Sequence, residues 1–220
     1  MKSFAGALSL ALLTAVPALA GPAPVPSSDT VTVGTVSLAS AGSTVDVPVF
    51  IRDASGTPLG IDQPPGSRIQ SYSLTVNYAP TSAVQSVTFT RAGITAPLTP
   101  AFESSPSAPG TISLLDVFQE STNLIPFTLN GAPPGNQVGV LHLTIAPTAT
   151  VGTTIALTLD PTLTQLANQA GTTTESVTNN NLTLVNGAIV VTTPVPALSA
   201  WALALLAIAL AAVGVVLSKR

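Results

Sequence analysis

No cysteine occurs in the 220 residues, which excludes disulfides, thiol chemistry and thiolate metal sites, so an exported domain here must be held by its core alone. Charge is nearly as scarce, at 7% of residues. Between Gly21 and the C-terminal apolar run there is no lysine, and Arg52, Arg68 and Arg91 stand against nine carboxylates. That balance argues against nucleic acid and anionic membrane surfaces as partners of this segment. Aromatic residues are few, with Trp201 the only tryptophan, so a stacking platform for sugars is poorly supplied. The single histidine, His142, sits mid-strand between Leu141 and Leu143 and reads as structural, because a triad or histidine metal cluster needs partners that the sequence does not offer.

What the chain has in quantity is apolar sequence at its two ends. Lys2, the run from Phe4 to Val16, Pro17 and then Ala18-Leu19-Ala20 form the pattern of a secretory signal with a small-x-small cleavage site, so residues 1–20 are expected to be removed and Gly21 to start the mature chain. At the other end, Ala200 to Leu217 carries no charge and is followed by Lys219 and Arg220. About 18 helical residues at about 1.5 Å each give roughly 27 Å, close to the thickness of a bilayer core, and the basic end, residues 218–220, is expected to stay cytoplasmic. The expectation is an exported domain anchored in the membrane by one C-terminal helix.

Val195-Pro196-Ala197-Leu198-Ser199-Ala200-Trp201, followed by that apolar run and the basic end, resembles the IPTL-type C-terminal sorting signal of Gram-negative bacteria, a relative of the PEP-CTERM signals. Pro196, Leu198, Ser199 and Trp201 keep the pattern, while Val195 and Ala197 replace Ile and Thr. The resemblance implies recognition by an exosortase-like processing enzyme in the cell envelope.

Between a Pro- and Ser-rich lead at 21–28 and a spacer with the sorting motif at 192–199, residues 29–191 have the length of one domain with a substantial core. Val45, Val47, Val49 and Ile51 alternate with polar or unlike neighbours, as do Tyr72, Leu74, Val76 and Tyr78. Strand patterns recur at Val31–Leu38, with a phase slip at Gly34-Thr35 suggesting a bulge, at Val87–Phe89, Ile112–Phe118, Val138–Ile145 and Thr153–Leu159, and at Leu182–Val191. Asn186-Gly187 inside the last reads as a hairpin turn, and Pro161–Ala170 as the one short helix. The segments 62–67 and 96–110 read as surface loops. These patterns predict an all-β fold, a nine-stranded antiparallel jelly-roll sandwich.

The order of these pieces resembles the cohesin domains of bacterial scaffolding and cell-surface proteins. Ala41-Gly42-Ser43-Thr44-Val45-Asp46-Val47-Pro48-Val49 is similar to the second cohesin strand, and Tyr72 to Pro80 to a strand ending Tyr-Asp-Pro. Gly110 to Ser113, Val140 to Ile145 and Asn186 to Val191 follow in the family's order. Ala79 and Ser43 depart from it. The resemblance implies a protein that binds other proteins rather than turning over substrates, with the third, fifth and sixth strands facing a dockerin-like partner. On the third strand the outward positions are Ser71, Ser73 and Thr75.

Other candidates carry less. Asp116 and Glu120 could be imagined as a glycosidase pair, but two of nine carboxylates fall that close by chance. Asp160, Asn168, Asn179, Asn180 and Asn181 could supply calcium oxygens, yet without an EF-hand spacing they read as turn residues. No cofactor and no enzyme activity are expected. The expected function is a surface protein-interaction or adhesion module. The alternative is a carbohydrate-binding module of the envelope or exopolysaccharide matrix, since fold does not settle function. Tyr72 and Tyr78 share the apolar parity of Leu74, which speaks against their stacking on a sugar.

Overall fold

The structure, a computed structural model, describes residues 28–38 and 40–192. The signal sequence with Ala18, Ala20 and Gly21, the sorting residues Val195, Pro196, Leu198, Ser199 and Trp201, the apolar run of residues 200–217, and Lys219 and Arg220 lie outside the described residues. Among the described residues no helix is long and apolar enough to cross a membrane.

Fourteen strands form: β1 Asp29–Val33, β2 Thr35–Leu38, β3 Thr44–Arg52, β4 Ser71–Ala79, β5 Val84–Arg91, β6 Phe102–Ser104, β7 Ser107–Ala108, β8 Thr111–Val117, β9 Asn136–Ile145, β10 Thr154–Leu159, β11 Gln165–Ala167, β12 Thr174–Ser176, β13 Leu182–Val185 and β14 Gly187–Val191. They make a two-layer sandwich. One sheet has the order β13-β1-β3-β9-β5, and the other runs β12-β11-β4-β10-β14-β2, with β8 on the far side of β4 and β6 and β7 beyond it. Alternation drives the layering. Val47, Val49 and Ile51 on β3, Leu141, Leu143 and Ile145 on β9, Tyr72, Leu74 and Val76 on β4, and Ile112 and Leu114 on β8 all bury between the sheets.

The expected count of nine differs because several strands are interrupted. The phase slip at Gly34 is a change of sheet rather than a bulge: β1 pairs with β3 in one layer, and β2 pairs with β14 in the other. Asn186-Gly187 does the same. It makes no hairpin, since β13 lies beside β1 and β14 beside β10 and β2, and neither residue has a positive φ. The two crossings touch, and a Cβ on Gly187 would overlap the Gly34 carbonyl oxygen. Two pairings, β1 with β13 and β2 with β14, are parallel, so the sandwich is not wholly antiparallel. The segment 96–110 is not a bare loop, because β6 and β7 add to β8. Instead of a helix, residues 161–170 give a turn and β11.

Ladder registers set the two ends of the sandwich apart. Residues 53–70, 118–135 and 168–181 gather at one end, joined by hydrogen bonds from Phe118 N–H to Gln70 O, Asn130 N–H to Asp53 O and Asn168 Nδ2 to Gly66 O. The chain leaves at the opposite end, where Thr192 N–H bonds to Leu38 O and Gly152 N–H to Val191 O.

Candidate interaction face

β4 turns Tyr72, Leu74 and Val76 inward and Ser71, Ser73, Thr75 and Asn77 outward. β8 lies opposite with Val117 beside Ser71, Leu115 beside Ser73 and Ser113 beside Thr75. β6 extends the layer by setting Phe102 against Val117, and β11 sets Gln165 and Ala167 against Ser73 and Ser71. One outer surface therefore spans β11, β4, β8 and β6. A shallow hollow of about 150 Å³ sits there, lined by Ser71, Ser73, Phe102, Leu115, Gln165 and Ala167. Phe102 at its rim is 54% exposed.

A five-residue excursion, 160–164, separates β10 from β11 along the edge of β4. Asp160 N–H bonds to Thr75 O at 2.9 Å, and Ser73 Oγ donates to Leu163 O at 2.9 Å. The Asp160 carboxylate accepts from Thr162 N–H, Thr162 Oγ1 and Leu163 N–H, and these bonds hold its pKa below the usual value. The turn so fixed leaves Leu163 55% exposed beside the serines. It also corrects the expectation for Thr75, which is 3% exposed, its hydroxyl paired with Ser113 Oγ at 2.8 Å. Of the three hydroxyl residues expected to face water, Ser71 and Ser73 are half-buried and Thr75 is covered.

The apolar part of this face, Phe102, Leu115, Val117 and Leu163, was not singled out in the sequence. A signal existed at Leu114-Leu115, where the strand is apolar on both parities, as a strand covered on both faces would be. Phe102 gave none, standing in a three-residue strand within a Pro-rich stretch.

On the other sheet His142 is hydrogen-bonded at both ring nitrogens, as a satisfied structural histidine would be. Its Nδ1 lies 2.6 Å from Asp46 Oδ1 and its Nε2 3.0 Å from Thr90 Oγ1, a row across β3, β9 and β5. The row lies on the outer face of the β3-β9-β5 ladders, with Asp46 opposite His142 on one side and Thr88 opposite it on the other. Both ring nitrogens of the imidazole are thereby satisfied.

Asp116 and Glu120 do not share a cleft. Asp116 is fully buried, and burial raises its pKa to about 6, while Glu120 lies in the loop after β8 and pairs with Arg68 at 3.7 Å. The Asn-rich set scatters into turns: Asn168 Oδ1 accepts from Thr172 and Thr173 N–H, and Asn181 Oδ1 from Ser176 N–H. Among the described residues no group of three or more His, Asp or Glu is placed to hold a metal ion. Tyr72 is in the core and Tyr78 packs at its margin.

Residues 193–220 match the family described as the IPTL-CTERM motif. No curated protein sequence matches the chain. Solved cohesin modules are similar in fold. The CaCohA2 module of Clostridium acetobutylicum is 25% identical with a TM-score of 0.53, covering 75% of this chain and 100% of its own. The third cohesin of ScaC from Acetivibrio cellulolyticus, solved with the ScaB dockerin, is 19% identical with a TM-score of 0.54, covering 75% and 99%. The Clostridium thermocellum OlpC cohesin, solved in a type I cohesin–dockerin complex, is 16% identical with a TM-score of 0.51, covering 79% and 99%. The chain thus carries a cohesin-like domain and, at its C-terminus, an IPTL-CTERM motif.

Proposed function

We propose that this chain is an exported, envelope-sorted, non-catalytic module that binds a protein partner on the outer face of β11, β4, β8 and β6. The observation carrying this reading is the exposed pair Phe102 and Leu163 flanking the hollow over Ser71, Ser73 and Leu115, an apolar centre with a hydroxyl surround. Cohesin neighbours that were solved with dockerins make a dockerin-like protein the partner class to try first. The sorting motif supports delivery through an exosortase-type system to the envelope of a Gram-negative cell, with the apolar tail as anchor until processing.

The face is tested by placing a photo-crosslinking residue at position 102 and, as control, at position 183 on the opposite sheet. A partner band from 102 that disappears with Leu163→Asp, and none from 183, is the expected result. Equal crosslinking from both positions sinks the assignment, and glycan binding lost in the same variant would favour the carbohydrate-binding alternative.

A further inference from the structure

At the loop end three carboxylates are buried with nothing positive beside them. Asp29, Asp53 and Glu175 are each 0% exposed. Each spends one oxygen on a backbone N–H of the segment after β3: Asp29 Oδ1 on Ala54, Glu175 Oε1 on Leu59, and Asp53 Oδ2 on Ile61, all at 2.8 Å. Their other oxygens, Asp29 Oδ2, Asp53 Oδ1 and Glu175 Oε2, have no donor. The Asp29 and Glu175 carboxyl groups, each with a buried oxygen left over, are neighbours. Two ionised carboxylates are acceptors only, so a hydrogen bond between these two requires that one of them carry a proton.

We propose that Asp29 and Glu175 share a proton and form a clasp that ties the first strand, the 53–62 loop and β12 together, and that this clasp releases as the medium turns alkaline. The groups facing the pair from every side fit a proton rather than a counter-charge. From the end of β3 comes Asp53, itself beside Asp62, and from the loop come the Thr57 hydroxyl and the Ala54 and Leu59 N–H groups. β13 brings Leu182 and Thr183 alongside β1. The arginines are engaged elsewhere: Arg52 donates to Gly131 O, Arg68 pairs with Glu120, and Arg91 with Glu103. Burial raises both carboxyls above their ordinary values, and for Asp29 the neighbouring Glu175 raises it further.

The sign follows from linkage. In the unfolded chain both groups ionise near pH 4, so at neutral pH the folded state holds a proton that the unfolded state lacks. Stability from the clasp is full in acid and declines as pH rises. The clasp also bears on the face of β11, because Glu175 lies in β12 opposite Leu166. The inference does not depend on what that face binds.

The test is urea unfolding of the whole chain in detergent between pH 7 and 9, above the range where Asp53 and Asp116, both pushed up to about 6, have ionised. One extra proton on the folded state makes the unfolding constant climb about tenfold per pH unit. Asp29→Asn keeps an acceptor for Ala54 and donates permanently to Glu175, so its slope should fall below about threefold per unit, and Glu175→Gln should behave alike. Should neither variant fold, proton release on unfolding the natural chain at pH 7.5 decides: close to one proton supports the clasp, and none overturns it. An unchanged slope in Asp29→Asn overturns it as well. So does stabilisation by millimolar calcium at pH 8 that Asp29→Asn abolishes, which would assign the pair to a cation.

Discussion

Replacing Gly187 by alanine puts the sheet crossing under direct strain. The added Cβ would sit 2.7 Å from the Val33 carbonyl oxygen and closer still to that of Gly34. Carbon-to-oxygen contacts normally run about 3.3 to 3.6 Å, so about 0.6 Å must be found at the Val33 oxygen and about twice that at the Gly34 oxygen, and both obstacles are backbone. Relief means drawing the two crossings apart and disturbing the ladders of β1 with β13, which ends beside them, and of β2 with β14, which begins there. Overpacking of this kind costs typically 1–3 kcal/mol and occasionally more, and rigid backbone on both sides places Gly187→Ala at about 3 kcal/mol or above. For a domain of this size that lowers Tm by roughly 6 to 12 °C. Gly152→Ala is the control. Nothing lies within 4 Å of its Cβ position, and its φ of +89° alone should cost about 1 to 2 kcal/mol. Urea titration with a common m-value reads both. If Gly187→Ala proves no worse than Gly152→Ala, the touching crossings do not constrain the fold as argued.

Two further outcomes are expected. Leu74→Ala should lose about 2 to 5 kcal/mol in the same titration, against less than about 1 for Ser73→Ala, because Leu74 is fully buried and Ser73 bonds only to a loop carbonyl; equal losses would contradict the assignment of faces. Thr75→Lys should destabilise by at least about 2 kcal/mol, since it forces an amine under the 160–164 excursion, while Ser73→Lys stays folded; circular dichroism melts of the two variants check this.

The strands with strict alternation were legible in the sequence, β3, β4 and β9 above all, since a period of two leaves few other readings. The crossings were not. Asn186-Gly187 suits a hairpin by composition, and only the approach of Gly34, 153 positions away in the chain, shows that the glycine is there for closeness. The outer face was legible in part: β4 parity gave Ser71 and Ser73, but the cover over Thr75 comes from a segment that pairs with it only in the fold. The buried carboxylates left a trace that could have been followed. Asp29 precedes Val31 and Val33 on the same parity, Asp53 follows Val49 and Ile51, and Asp116 follows Ile112 and Leu114. A carboxylate that continues an apolar stripe by two marks an inward position, whereas Glu175, between two hydroxyl residues, carries no such mark.

The last strand has a mechanical consequence. β14 lies between β10 and β2, and the chain departs from its end at Val191 in the direction the strand runs. The candidate face occupies the other half of the same layer, toward Ser71. A pull on the C-terminus against a grip on that face acts along the strand axes, so β14 must slide lengthwise past both neighbours and every ladder bond takes load together. A pull at right angles would part the bonds one at a time. A domain hung by its C-terminus with its grip at the far end would therefore resist tension best along the line on which a moving cell or a flowing matrix would apply it.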